Sequence, residues 1–100
     1  MSEQGSDPSV QAASEQISAI DGELVALLNQ RLGLVRELHA YKRAQGYPMV
    51  DPEREERLLD ALVAGNPGPM SDGELRAVWA SLLALMTREA ARLLDEAEAR

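Results

Sequence analysis

No cysteine occurs anywhere in the chain. That removes disulfides, thiolate catalysis and zinc–sulfur sites together, and leaves a composition compatible with the cytosol. A single histidine, His39, rules out a histidine metal cluster within one chain. Phenylalanine is also missing, aromatics number only three, and no Val/Ile/Thr-rich alternating run occurs, which argues against a sheet. No apolar run approaches the roughly 18 residues of a membrane span. The N-terminus, MSEQGSDPS, is polar and acidic, unlike a signal peptide, so a cytoplasmic protein is expected. Basic residues are outnumbered, and the net charge of −7 argues against nucleic acid, whose phosphates need a basic surface.

What is present is helical patterning. One hundred residues make one domain, and 45% hydrophobic with 27% charged residues is ordinary for a globular one. The stretch Ile17 to Gln45 organises the rest: its apolar residues fall at 17, 20, 24, 27, 34, 35 and 38, one helical stripe. Two cations interrupt that stripe, Arg31 and, eleven residues on, Lys42. Eleven residues are close to three turns, so both side chains leave one face, with Cα atoms roughly 16 Å apart. Leaning together over Val35 and Leu38, they can grip a small anion. Lys42 is the only lysine beside nine arginines, a compact ammonium where the chain otherwise uses guanidinium. Blander readings exist for both: an Arg31 stem can pack while its head snorkels, and Lys42 can complement a helix dipole.

Residues 1–10 lack any period and are expected to be a flexible N-terminal tail. The first helix should start between Val10 and Ser14 and run to about Gln45, stopped by Gly46-Tyr47-Pro48. Asp51-Pro52 opens a second helix as N-cap and first helical residue, with Leu58, Leu59, Leu62 and Val63 inward. Gly65-Asn66-Pro67-Gly68-Pro69 ends it. Ser71 and Glu74 form a capping box for a third helix to about Ala97. Its inward residues are Leu75, Val78, Trp79, Leu82, Leu83, Met86, Ala90, Leu93 and Leu94. Its acidic end, DEAEA, opposes the helix dipole and is expected to fray. A first helix of about 30 residues is roughly 45 Å long, more than a compact domain of this size spans. Two shorter helices cannot cover its stripe, so a homodimer with the long helices packed together is expected.

This order of helices, carrying Ile17-Ser18-Ala19-Ile20-Asp21, Leu27-Leu28-Asn29-Gln30-Arg31, Tyr41-Lys42 and Val50-Asp51-Pro52-Glu53-Arg54-Glu55, resembles the all-helical (type II) chorismate mutases. The resemblance runs from about residue 13 to 94. It implies an all-α fold with three helices per chain (long, short, long), intertwined as a homodimer, with residues 11–97 as the chorismate mutase-like domain. It further implies an isomerase that rearranges chorismate to prephenate in phenylalanine and tyrosine biosynthesis, without cofactor or metal. The reaction is a pericyclic rearrangement of a dianion. Holding the compact conformer and placing positive charge near the breaking ether bond suffice for catalysis.

Carried over residue by residue, the resemblance makes Arg31 the grip on one carboxylate and Lys42 the contact to the ether oxygen and the other carboxylate. Asp51, through its backbone N–H, and Glu55 would hold the ring hydroxyl, and Arg54 would join the carboxylate site. The chain departs from the family at three places. Ser14 stands where an arginine crosses the dimer, and Met86 and Ala90 stand where the third helix has a serine and a glutamine or glutamate. Thr87, Arg88 and Glu89 are the further candidates on that helix, with Arg92 behind them. A partner synthase of the shikimate pathway is suggested by Asn66-Pro67-Gly68-Pro69, which resembles the version fused to that enzyme. The same departures admit a weakly active or inactive regulatory module bound to such a synthase, or a mutase for 4-amino-4-deoxychorismate. His39 is expected to be partly buried and structural.

Overall fold

A computed structural model describes residues 3–100, and the described residues contain four α-helices and no strand. These are α1 (Glu3–Ser6), α2 (Pro8–Gln45), α3 (Pro52–Ala64) and α4 (Asp72–Glu98). The last three are the long, short and long helices of the sequence reading; the four-residue α1 makes the count four instead of three. The other correction is the start of α2. It begins at Pro8, inside the stretch expected to be tail, because Asp7 and Pro8 act as cap and first helical residue. The Asp7 carboxylate accepts the Ser9 N–H at 2.8 Å, and the Asp7 carbonyl accepts the Gln11 N–H at 3.0 Å. Residues 1 and 2 of that tail lie outside the described residues.

The chain divides into two units, one ending at Arg31 and the other Leu32–Arg100. In the first, every side chain from Gln4 to Gln30 is exposed. The aliphatic residues are no exception: Ile17 and Leu27 are 60% exposed and Leu24 is 50% exposed. Asn29, in the middle of the helix, donates its amide to the Val25 carbonyl at 2.9 Å, so its polar head stays local.

The second unit contains the buried residues: His39 on α2, Leu59 on α3, and Met86 and Ala90 on α4. Met86 and Ala90 are four apart and so lie one above the other on one face. Trp79, Leu82, Leu83, Leu93 and Leu94 flank them half-buried. Val78, expected inward, is 52% exposed. At 3.6 residues per turn it stands about 100° round the helix from the Met86–Ala90 line, at the edge of the stripe. Arg76 on α4 reaches both Glu56 and Asp60 of α3, residues four apart on one side of that helix, the second at 3.0 Å.

Helix ends are set by side chains. Asp51 Oδ1 accepts the Arg54 N–H at 3.2 Å, and Ser71 Oγ accepts the Glu74 N–H at 3.4 Å, the serine half of the expected capping box. Between α3 and α4, Asn66 ties the turn together. Its amide donates to the Met70 carbonyl at 2.7 Å and to Asp72 at 2.9 Å, and its oxygen accepts the Gly68 N–H at 3.0 Å. The acidic end of α4, expected to fray, stays helical to Glu98. The reason is Arg43, which lies 3.0 Å from both Asp95 and Glu98 and supplies the positive charge that the last turn itself lacks.

Candidate functional site

The site begins with a glycine. Gly46 follows the last residue of α2 with φ +72°, the left-handed region that L side chains rarely adopt. Around it the backbone makes two reversed bonds, Tyr47 N–H to the Lys42 carbonyl at 2.9 Å and Gly46 N–H to the Arg43 carbonyl at 3.3 Å. That is the Schellman pattern, which satisfies orphan carbonyls at the helix end and turns the chain back along it. The segment after the turn therefore returns beside Lys42. The ammonium Nζ stands 3.5 Å from the Met49 carbonyl.

A cavity of about 360 Å³ opens here, lined by Lys42, Tyr47, Pro48, Val50, Asp51 and Pro52. Four of the six residues are apolar or aromatic, one carries an ammonium and one a carboxylate. This composition, mostly apolar with a few convergent polar groups, suits a small molecule with an anionic end. Asp51 is also the N-cap of α3, so its side chain is occupied by the Arg54 N–H. Glu55 is half-buried on the first turn of α3 and Arg54 is exposed; neither lines the cavity. The sequence candidates Lys42 and Asp51 are thus brought together around one space, while Arg54 and Glu55 stand on the adjacent turn.

Arg31 ends the first unit. Its Nη1 is buried and has no hydrogen-bond partner. An unpaired buried guanidinium nitrogen is expensive and calls for an acceptor.

The third-helix candidates behave differently from one another. Thr87 donates its hydroxyl to the Leu83 carbonyl one turn back at 3.1 Å. Arg88 is exposed. Glu89 takes both Nε and Nη2 of Arg92, at 2.7 and 3.1 Å, while Arg92 Nη1 reaches Glu96 at 2.9 Å. Hydrogen bonding to Arg92 holds the Glu89 carboxyl below its ordinary range, and the two carboxylates raise the Arg92 guanidinium. Both groups are therefore spent on each other along the helix surface. Met86 and Ala90 are 3% and 0% exposed, so the two departing positions on this helix are core, whereas Ser14, the third, is exposed.

His39, 5% exposed, lies one turn before Lys42 on the same helix. Burial lowers its pKa, and the charges of Lys42 and Arg43 lower it further, so the imidazole is held neutral. Among the described residues no three His, Cys, Asp or Glu side chains group so as to hold a metal ion.

Tyr47, Pro48, Val50 and Pro52 were not among the sequence candidates. Gly46 reads from the sequence as a helix stop suited to the left-handed C′ position; that this geometry sends the next four residues back over Lys42 is the signal that could have found them. Tyr47 is steadied by an edge-to-face contact with Tyr41, the ring centroids 6.4 Å apart and the planes at 63°.

The family model described as chorismate mutase type II matches residues 13–90. Two solved structures of chorismate mutase from Thermus thermophilus are similar to this chain. Form II aligns with a TM-score of 0.80 and 31% identity, covering 83% of this chain and 94% of that one. Form I aligns with a TM-score of 0.75 and 32% identity, covering 77% of this chain and 96% of that one. No curated protein matches the chain.

Proposed function

The chain belongs to the type II chorismate mutase family, and from that premise we propose that Lys42 is the electrostatic centre of its catalysis. The enzyme is an intramolecular isomerase of aromatic amino acid biosynthesis, rearranging chorismate to prephenate. One C–O bond breaks as one C–C bond forms, and no proton or covalent intermediate is involved. The protein therefore has to hold the compact conformer and stabilise negative charge growing on the ether oxygen. An ammonium beside apolar walls does this better than one in bulk water, because solvent screens it less.

The observation that carries the assignment is that Lys42 and Asp51 line one cavity of about 360 Å³ with Tyr47, Pro48, Val50 and Pro52. From the family resemblance we assign Arg31 and Arg54 to the substrate carboxylates, and the Asp51 backbone N–H with the Glu55 carboxylate to the ring hydroxyl. The unpartnered Nη1 of Arg31 supports its role, since a carboxylate is the acceptor it lacks. Thr87 and Arg88 are secondary candidates. Glu89, committed to Arg92, serves the site least well.

The working enzyme is a homodimer in which a second copy covers the aliphatic face around Ile17, Ile20, Leu24 and Leu27. The exposure of these four residues, each half or more, supports this. Among the described residues no helix is long and apolar enough to cross a membrane. A shikimate-pathway synthase is a further partner, supported by the Asn66–Pro69 loop. Membership of the family favours an enzyme over a catalytically idle binding module.

Loss of chorismate absorbance with purified protein tests the assignment. Lys42→Ala should cut kcat by about 100-fold or more, as removal of one charge-stabilising donor does elsewhere. An undiminished rate in that variant would sink it.

A further inference from the structure

We propose that Tyr47 is a further substrate-binding residue of this site, its ring forming the wall against which the apolar side of the substrate rests. The inference builds on the functional reading above and deepens it. Tyr47 lines the same cavity as Lys42 and Asp51, yet it is 54% exposed. An aromatic ring left half in water beside a cavity gains by being covered, and a ligand in that cavity is what covers it.

Exposed tyrosines are ordinarily mobile, but three restraints fix this one. Its own N–H is held by the Lys42 carbonyl at 2.9 Å, so the backbone of the wall is bonded to the backbone of the residue it faces. Its ring meets Tyr41 edge to face. The left-handed Gly46 before it sets the direction of the chain. A wall built in this way is in position before substrate arrives and loses little freedom on binding.

The geometry makes Gly46 a positioning residue that acts through Tyr47. A Cβ at position 46 would meet nothing within 4 Å, so Gly46→Ala perturbs only the backbone angle of +72°. Asparagine tolerates the left-handed region where alanine does not. Gly46→Asn should therefore rescue what Gly46→Ala loses.

Steady-state chorismate kinetics and melting temperature on the full chain test this. Tyr47→Ala should raise KM about fivefold to tenfold while kcat falls less than twofold and the melting temperature stays put. Tyr47→Phe, which keeps the ring, should bring KM back toward the wild-type value. Gly46→Ala should raise KM in the same direction, and Gly46→Asn should reverse most of that rise. An unmoved KM in Tyr47→Ala overturns the inference. So does a rise that Phe does not reverse, or one matched by a fall in melting temperature. If the wild-type chain turns over no chorismate, the functional reading itself fails; a wild-type rate with unmoved Tyr47→Ala kinetics sinks the present inference alone.

Discussion

The two units use one kind of sequence pattern and end in opposite states. From Ile17 to Leu28 aliphatic residues recur at helical spacing, and every one of them is exposed. From Leu75 to Leu94 the same spacing ends with Met86 and Ala90 buried and their neighbours half-buried. Hydrophobic periodicity thus dictates that a face must be covered, and is silent on what covers it. In the second unit α3 packs on α4 and Arg76 ties the pair from its edge. Among the described residues of the first unit nothing does so: they form one long helix segment with a four-residue helix before it. We assign that role to a second copy of the chain.

The sharpest break of this contrast is to put charge into the uncovered face. Ile20→Asp with Leu24→Asp, one turn apart, should raise the dimer dissociation constant more than about 100-fold, since two carboxylates would be desolvated in an apolar seam. Sedimentation equilibrium would read the dissociation, and chorismate turnover should fall with it. A double variant with unchanged mass and rate, or a wild-type chain that is monomeric throughout, would remove the second copy from the account.

The next largest effect belongs to the covered face. Met86→Ala should lower unfolding free energy by about 2–5 kcal/mol, the range for emptying a buried large side chain. Denaturant titration at several protein concentrations adds the comparison. The loss from Met86→Ala should be the same at each, whereas a Leu24→Ala loss should depend on concentration, because it acts through association. Equal concentration dependence for both would mean that the two faces are not buried by different means.

How much of this was legible in the sequence turns on which contacts are local. The caps at Asp51 and Ser71, the stop at Gly46 and the turn at Gly65–Pro69 were all readable, since each depends on residues within a turn of one another. Asp7-Pro8 carries the same cap signature as Asp51-Pro52, yet it reads as tail because no apolar period begins until Ile17. The intact acidic end of α4 was not readable at all. Its countercharge, Arg43, lies more than fifty residues earlier in sequence. Within the site, Lys42 stood out because it is one of two cations that interrupt an apolar stripe and the chain's only lysine. The Tyr47–Val50 wall did not, because it has no period and is brought to Lys42 by the turn at a left-handed glycine, through the Tyr47 N–H and the Met49 carbonyl.

A smaller effect follows from His39, the one buried titratable side chain among the described residues. Its folded pKa lies below the ordinary 6.5, so the unfolded chain binds a proton more readily than the folded one. By linkage its contribution to stability is fully present above pH 6.5 and is lost as pH falls toward the lower folded value. The melting temperature should therefore decline on acidification below pH 6.5, and His39→Asn should flatten that part of the profile. A wild-type profile flat from pH 7 to 5 would contradict the burial of a neutral imidazole.

The smallest effect is expected from Arg43→Gln, and it separates local from global stability inside the second unit. Its guanidinium is half-buried and paired with two exposed carboxylates, and such pairs contribute little because water and salt screen them. Yet Arg43 brings a cation to the final turn of α4, whose own sequence offers none. Removing the charge should therefore leave the melting temperature almost unchanged while the amides of Asp95–Glu98 lose protection in hydrogen exchange. The amides around Met86 and Ala90 should keep theirs, because packing and not charge holds that part of the helix. A global loss of protection in Arg43→Gln would instead make the ion pair part of the core's stability. The contrast between a charge-fixed end and a packing-fixed middle would then be wrong.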